Sequence, residues 1–445
     1  MCFLIKFNKA SLSCLILILL ILFLASSFTP QFVFAQNNPF QAPNLTSNLP
    51  TGLTLFECYQ LALKQSEKIA IQGQVIREAE GRFLQSISGI LPKVNFQYSN
   101  RRQDGSGQSN FTLSEVPEAK FVFSQPLFSG FKEFAAMKGS KFEKEQRHQE
   151  KIRAEELLFT DVSDAFYFVL SYQDDIEALT RIQQALKERL DDLQKRESLG
   201  RSRTSEVASA EARLSRIEAD LEFVRSEEEV ARQLLEFLTG QPIAGLDDTQ
   251  TDMVVTNQED FEERIVQRAD VLAAKNAWEV AKKQIAVAKA DFWPTATLDG
   301  NYYTKRIGNS SGVDWDVTLN VDIPIFEGSE TFGRVKETRA QSEQARLLFE
   351  ETKRTANLEI QNAFTRLERS QRRLIALEKA LSAAKKNYDL QRQDFQNNLV
   401  NNLDVLQSLE DLESAERDFV AVKNQTKQYY WNYKVALGET IHDTR

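Results

Sequence analysis

The chain has 445 residues, 42% of them hydrophobic and 27% charged, with 64 acidic against 55 basic side chains and a net charge of −9. That acid surplus disfavours polybasic binding of nucleic acid or of anionic lipid, and nucleic acid is not an expected partner. Three cysteines (Cys2, Cys14, Cys58) and two histidines (His148, His442) give no paired metal-ligand spacing and no disulfide framework.

In chain order, Lys6 and Lys9 precede an apolar run over residues 12–25, and Val33-Phe34-Ala35 ends on a small residue. Residues 1–35 therefore read as a secretory signal peptide cleaved after Ala35. Its removal takes the charge from −9 to −11 and leaves Cys58 alone, so no internal disulfide forms in an exported, disulfide-permissive compartment. No later apolar run approaches the ~20 residues of a membrane helix, so a mature chain that spans a membrane must use strands. Residues 36–53, rich in Asn, Pro and Ser, read as an irregular lead-in.

The rest is written twice. Gln125-Pro126-Leu127-Phe128-Ser129-Gly130 returns as Ile323-Pro324-Ile325-Phe326-Glu327-Gly328, with the prolines 198 residues apart. The same offset pairs Val207 with Val405 and Gly240 with Gly438, whereas Pro92 pairs with Pro294 at 202. One unit thus occupies residues 54–240 and again 260–438, with a linker at 241–259 and a tail at 439–445. Each copy is expected to run helix, β-hairpin, long helix, tip, helix, with the hairpins near 93–127 and 295–324 and the tips near 199–203 and 398–402.

The helices are expected over 54–90, 131–198 and 204–239, then 261–292, 332–397 and 402–437. No proline occurs between Pro126 and Pro242 or after Pro324. Phe159, Val162, Phe166 and Val169, then Leu179, Ile182, Leu186, Leu190 and Leu193, recur by threes and fours, as do Phe364, Leu367, Leu374, Leu377, Leu381 and Tyr388. This narrow seam is coiled-coil patterning, and the long helices would reach roughly 100 Å at ~1.5 Å per residue. The short helices are expected to lie alongside them. Gly200 and its counterpart Asn398 suit the left-handed turn that ends a helix, so both long helices should fold back there.

The strands alternate. Trp315, Val317, Leu319, Val321 and Ile323 share one face, and Asp314, Asp316, Thr318, Asn320 and Asp322 the other. Val94, Phe96 and Tyr98 oppose Asn95, Gln97 and Ser99. With an apolar band outside, polar residues inside, and Phe128, Phe131, Phe292, Trp293 and Phe326 where strand meets helix, the hairpins fit a membrane barrel. Trp315, Val317, Leu319 and Val321 would then face lipid. Four strands cannot close a barrel and open edges are not tolerated in lipid, so the chain should oligomerise.

Taken together, the doubled Pro-Leu/Ile-Phe-x-Gly motif (Pro126, Phe128, Gly130; Pro324, Phe326, Gly328) and the run Asn398-Leu399-Val400-Asn401-Asn402-Leu403-Asp404-Val405-Leu406 resemble the outer-membrane efflux protein family, the TolC-like exit ducts. The resemblance covers about residues 54–438. It implies a mainly helical protein with an internal twofold repeat. A long antiparallel coiled-coil α-barrel lies in the periplasm, and four strands per chain complete a shared β-barrel in the outer membrane of a homotrimer. It further implies an exit duct of a tripartite efflux or type I secretion system, meeting a periplasmic adaptor (membrane fusion protein) and an inner-membrane pump. The tips Leu199, Gly200, Arg201, Ser202, Asn398, Leu399, Val400 and Asn401 would dock the adaptor. The family closes its pore with acids after the second tip. Asp404 matches the first, Gln407 is neutral where the second falls, and Glu206 is the first-repeat counterpart of Asp404. The family usually has Gly where Asn398 stands here.

No catalytic constellation, cofactor motif or metal site is evident, and the chain is not expected to be an enzyme. His148 and His442 read as solvated, and Cys58 as a packing residue. Two other classes compete with this reading, a periplasmic adaptor and a secreted structural coiled coil. The first predicts one helical hairpin beside a Gly- and Val-rich β domain, and the second leaves the alternation at 314–323 unexplained.

Overall fold

The computed structural model describes residues 52–104, 113–248, 261–307, 311–397 and 399–440. All of them lie in the second of two compact units, Pro50–Arg445. The signal peptide, most of the lead-in, part of the linker, both hairpin-loop apices, Asn398 and His442 lie outside the described residues.

Within this unit the elements are α1 Leu55–Gln65, α2 Glu67–Ser88, β1 Lys93–Arg102, β2 Glu115–Ser129, α3 Lys132–Ser198, α4 Thr204–Thr239, α5 Phe261–Gln267, α6 Ala269–Ala290, β3 Thr295–Lys305, β4 Trp315–Asp322, α7 Glu330–Gln396 and α8 Asn402–Ala436. The chain is mainly helical with one small antiparallel sheet. Both α3 and α7 have 67 residues, about 100 Å of helix. Among the described residues no helix is long and apolar enough to cross a membrane.

Two expected helices are interrupted. The 54–90 segment breaks at Ser66 (φ −65°, ψ 112°), whose hydroxyl accepts from the Ile69 N–H at 3.4 Å and so starts α2. The 261–292 segment breaks at Arg268 (φ −61°, ψ 142°). There the side chain turns inward and is fully buried. Its guanidinium donates to the Ala436 carbonyl at 2.9 Å, to Asp270 at 2.7 Å and to Glu359 at 2.7 Å. A buried guanidinium must satisfy its donors, and straightening the helix would remove it from these acceptors.

The short helices lie alongside the long ones. α3 packs against α2, α4, α6 and α8, and α7 packs against α6 and α8. The largest core cluster joins α1, α3, α7 and α8 around Phe159, with Tyr59 at 5.0 Å and Trp431 at 5.3 Å between ring centroids. The Trp431 indole N–H donates to the Tyr167 hydroxyl at 3.3 Å. Toward the C-terminal end of α3 the seam continues as Leu179, Ile182, Leu186, Ile217, Leu221 and Val224, then as Leu193, Val207, Phe395 and Val405. The seam on α7 is thinner: Leu367 is fully buried, but Leu374, Leu377, Leu381 and Tyr388 are only half-buried. α4 and α7 also keep Phe223, Phe237, Leu358 and Ile375 exposed.

The sheet order is β1-β2-β3-β4, antiparallel throughout. β2 and β3 pair although more than 160 residues separate them. Each has a partner on both sides, whereas β1 and β4 have one described partner each.

Candidate functional site

The sheet has two chemically opposite faces. On the first, Phe96 lies opposite Phe121, Phe121 opposite Tyr302, and Tyr302 opposite Trp315. Next to this row come Val94, Phe123, Gly300 and Val317, then Leu298 with Leu319 and Ala296 with Val321. Trp315, Val317, Leu319 and Val321 are each 56–59% exposed. A row of large apolar side chains left open to this extent marks a surface built to meet an apolar medium or partner.

On the second face the side chains bond one another. Asp299 accepts from the Ser124 hydroxyl at 2.5 Å, the Asn320 amide at 2.6 Å and the Thr297 hydroxyl at 3.3 Å. Asp316 accepts from the Asn301 amide and the Tyr303 hydroxyl, both at 2.8 Å. Glu118 pairs with Lys120 at 3.1 Å and Arg306 at 3.7 Å. Period-two alternation puts the strand residues among these on the same side, and Arg306 reaches Glu118 from just past the end of β3. The sequence identified the polar positions but not their partners, which come from neighbouring strands.

Both copies of the Pro-x-Phe-x-Gly motif turn a strand into a long helix through two consecutive left-handed residues. These are Gly130 (φ 65°) with Phe131 (φ 62°), and Gly328 (φ 61°) with Ser329 (φ 74°). A Cβ on Gly130 would lie 2.5 Å from the Ala290 carbonyl oxygen and 3.0 Å from the Trp293 Cβ, so only glycine fits there. The copies differ in pairing. Pro126 lies within β2 opposite Thr297, at a register shift before Phe128, whereas Pro324 follows the end of β4. The β1 pairing has already ended at Ser124, so Pro126 has a partner strand on one side only, and the shift there accommodates its missing N–H. Phe128 stacks edge-on with Phe131 at 5.3 Å, and Phe131 lies 6.4 Å from Phe134, carrying an aromatic row from the sheet onto α3.

At the far end, α3 closes on Gly200 (φ 70°), with the Arg201 N–H donating to the Arg196 carbonyl at 2.8 Å. The second tip closes the same way, from the Leu399 N–H to the Asp394 carbonyl at 2.9 Å. Leu199, Arg201, Leu399 and Asn401 are exposed, Ser202 and Val400 half-buried, and Val400 packs on the Val405–Phe395 cluster.

The candidate gate acids are both helix-starting residues. Asp404 accepts from the Asn401 N–H at 3.2 Å while the Asn401 side chain accepts from the Asp404 N–H at 3.1 Å, a reciprocal cap. Glu206 accepts from the Ser202 hydroxyl at 2.5 Å and the Arg203 N–H at 3.2 Å. The Ser202 hydrogen bond, opposed by burial and helped by the Arg203 backbone N–H, holds the Glu206 carboxyl below the usual range. Asp404 and Gln407 are exposed, and Gln407 donates to Asp411 at 3.2 Å.

Sequence reasoning missed what joins the tips. Arg189 of α3 stacks on the Phe395 ring of α7 at 3.5 Å, and Arg196 lies 4.5 Å from the same ring. The Arg189 guanidinium also donates twice to the Asn402 side-chain oxygen of α8, at 2.9 and 2.7 Å. Burial pushes Arg189 down to about 10, still charged at neutral pH. A lone Arg among charged neighbours carries no sequence signal for such a role. Arg417 and Asp175 likewise form a bidentate pair between α8 and α3, at 2.8 and 3.0 Å.

Among the described residues no group of three or more His, Cys, Asp or Glu is arranged to hold a metal. Cys58 is fully buried, and burial pushes its thiol up to about 12, so it is an inert packing group.

The family profile described as "Outer membrane efflux protein" matches residues 58–241 and 262–439. The chain is 24% identical to "Outer membrane protein TolC" of Vibrio cholerae over 268 residues, 57% of this chain and 60% of that protein. It is 20% identical to "Outer membrane protein TolC" of Salmonella enteritidis over 417 residues, 88% of this chain and 83% of that one. The crystal structure of the outer membrane protein VceC from Vibrio cholerae superposes with a TM-score of 0.76 at 21% identity, covering 86% of this chain and 96% of that chain.

Proposed function

This chain belongs to the outer membrane efflux protein family, and from that premise we propose that three copies form a passive exit duct across the outer membrane and the periplasm. As a member of that family it is an outer-membrane protein. The four strands of each copy supply one third of a closed barrel, with Trp315, Val317, Leu319 and Val321 against lipid and Asp299, Asp316 and Asn320 toward a water-filled lumen. The observation that carries this reading is the two-faced sheet, exposed and apolar on one side, hydrogen-bonded and polar on the other, with an edge at each end that has no partner among the described residues. An open edge in hydrocarbon costs several kcal/mol per unpaired backbone group, which closure between copies removes. The exposed apolar residues of α4 and α7 would be covered in the same assembly.

In this reading residues 54–240 and 260–438 are two copies of one unit, and pseudo-sixfold symmetry arises from three chains. The exposed tips Leu199, Gly200, Arg201, Leu399 and Asn401 meet a periplasmic adaptor coupled to an inner-membrane pump, for efflux or polypeptide secretion. Asp404, with Glu206 as a second ring, narrows the periplasmic mouth and draws cations to it. No catalytic step belongs to this function. Fractionation followed by gels run with and without boiling tests the assembly. The protein should sit in the outer membrane as a heat-sensitive oligomer. A monomer in detergent that keeps its strands would overturn the reading.

A further inference from the structure

A groove of about 570 Å³ lies between the end of α6 and the start of α7, lined by Lys289, Phe292, Trp293, Phe332, Val335, Lys336 and Arg339. Its chemistry is divided. Phe292 and Phe332 meet edge-on at 5.0 Å, and with Trp293 and the buried Val335 they form an apolar floor. Lys289, Lys336 and Arg339 supply three cations, no carboxylate lines the groove, and among the described residues none of the three is ion-paired. The nearby Asp291 is committed elsewhere, to Lys132 at 3.0 Å and Arg334 at 2.6 Å. Three cations without an ion pair among the described residues thus surround an aromatic floor in a chain of net charge −9.

Position adds to the chemistry. Phe292 and Trp293 lie three and two residues before β3, and α7 begins eight residues after β4 ends. The groove therefore lies where strand gives way to helix, the level of the headgroups if the strands span the hydrocarbon. Helical side chains lean toward the helix N-terminus, so Lys336 and Arg339 reach back toward Phe332 and the sheet. The aromatic row Phe128–Phe131–Phe134 begins on the apolar sheet face, since Phe128 lies opposite Ala296 and Ala296 opposite Val321. By the 198-residue offset Phe332 is the counterpart of Phe134, so the groove opens on the lipid-facing side.

The same offset makes Lys336 and Arg339 counterparts of Lys138 and Lys141. On α3 those positions and Phe134 stay exposed although α2 and α6 flank that helix on either side. The groove would likewise stay open when α7 gains a neighbour in the oligomer.

We propose that this groove binds one anionic phospholipid from the periplasmic leaflet, its phosphate among Lys289, Lys336 and Arg339 and its acyl chains over Phe292, Trp293 and Phe332. The proposal rests on the outer-membrane channel reading and adds a lipid that tethers the helical part at the membrane surface. Aromatic rings at headgroup depth and clustered cations are the elements that such recognition needs.

Native mass spectrometry of the detergent-purified oligomer, titrated with phosphatidylglycerol or phosphatidylcholine, tests it. Wild type should retain phosphatidylglycerol at up to one per chain and phosphatidylcholine far more weakly. The triple variant Lys289→Gln/Lys336→Gln/Arg339→Gln should weaken phosphatidylglycerol retention roughly tenfold or more. The control Lys379→Gln/Lys385→Gln/Lys386→Gln, with the same charge change further along α7, should retain it as wild type does. Equal retention of the two lipids, no effect of the groove variant, or an equal effect of the control would overturn the proposal. Displacement by inorganic phosphate at lipid-equivalent concentration would replace it with a site for a free anion. The same spectra count chains, so a monomer signals failure of the channel reading separately from failure of the lipid site.

Discussion

Leu319→Arg is the sharpest perturbation of the sheet. β4 has eight residues, about 26 Å at ~3.3 Å each, and covers about 20 Å of membrane depth at an inclination of roughly 40°. Leu319 is its fifth residue, pairs with Leu298, and is 59% exposed on the apolar face. An arginine there would face hydrocarbon near the midplane at about 2–4 kcal/mol per chain, or roughly 6–12 kcal/mol per trimer if the three sites act independently. Asn320→Arg moves one residue to the polar face, where Asn320 already lies 2.6 Å from Asp299 and a guanidinium would gain a carboxylate. The assay is the temperature at which the oligomer dissociates on unboiled gels, together with the amount recovered in the outer membrane. Leu319→Arg should lose most of both, and Asn320→Arg should lose neither. Equal tolerance of the two, or greater damage from Asn320→Arg, would refute the assignment of faces.

Four other outcomes are expected. Gly130→Ala combines a left-handed backbone with a Cβ 2.5 Å from the Ala290 carbonyl, and should lower stability by at least about 2–3 kcal/mol, read as an earlier thermal transition. Arg189→Gln removes the stack on Phe395 and both bonds to the buried Asn402, loosening the tip by about 2–4 kcal/mol. Hydrogen exchange should then quicken at the ends of α3 and α7 and stay unchanged around Trp431. In planar bilayers trivalent cations should block the channel from the periplasmic side, and Asp404→Ala should weaken that block; an unchanged block would leave Asp404 a helix cap only. Burial, opposed in part by the Asn432 hydrogen bond, pushes the Asp164 carboxyl up to about 6 from 3.8. Its folded pKa is raised, so the protonated acid favours the fold and stability falls as pH rises from about 4 to 6. Asp164→Asn should remove that slope and gain up to roughly 2–3 kcal/mol at pH 7, measured by denaturant titration at pH 4 and pH 7.

Features with a short repeat distance were legible in the chain. The strand faces follow from period two, so Trp315 through Val321 sort themselves without any knowledge of partners. The α3 seam follows from steps of three and four, and the buried Phe159, Val162, Phe166 and Leu186 are the residues that pattern selects. Gly200 marked its turn because glycine tolerates positive φ. Features that depend on distant partners were not legible. Ser66 and Arg268 interrupt helices without proline or glycine, one through a local cap and the other because a guanidinium is drawn to Ala436 and Glu359. The left-handed Phe131 and Ser329 belie their side chains. Arg189, Phe395 and Asn402 lie more than 200 residues apart at the extremes, and nothing local announces that they meet. The second seam looked as regular as the first in sequence, yet Leu374 and Leu377 are only half-buried, because burial depends on what else packs on α7.

The central claim is that one face of the sheet meets lipid and the other water. Single cysteines at Thr318, Leu319, Asn320 and Val321, with Cys58 replaced by serine, can be labelled in intact outer membranes with a charged, membrane-impermeant thiol reagent. The account predicts alternation: positions 318 and 320 react, and positions 319 and 321 react only with a lipid-soluble reagent. Uniform labelling by the charged reagent at all four positions would contradict it.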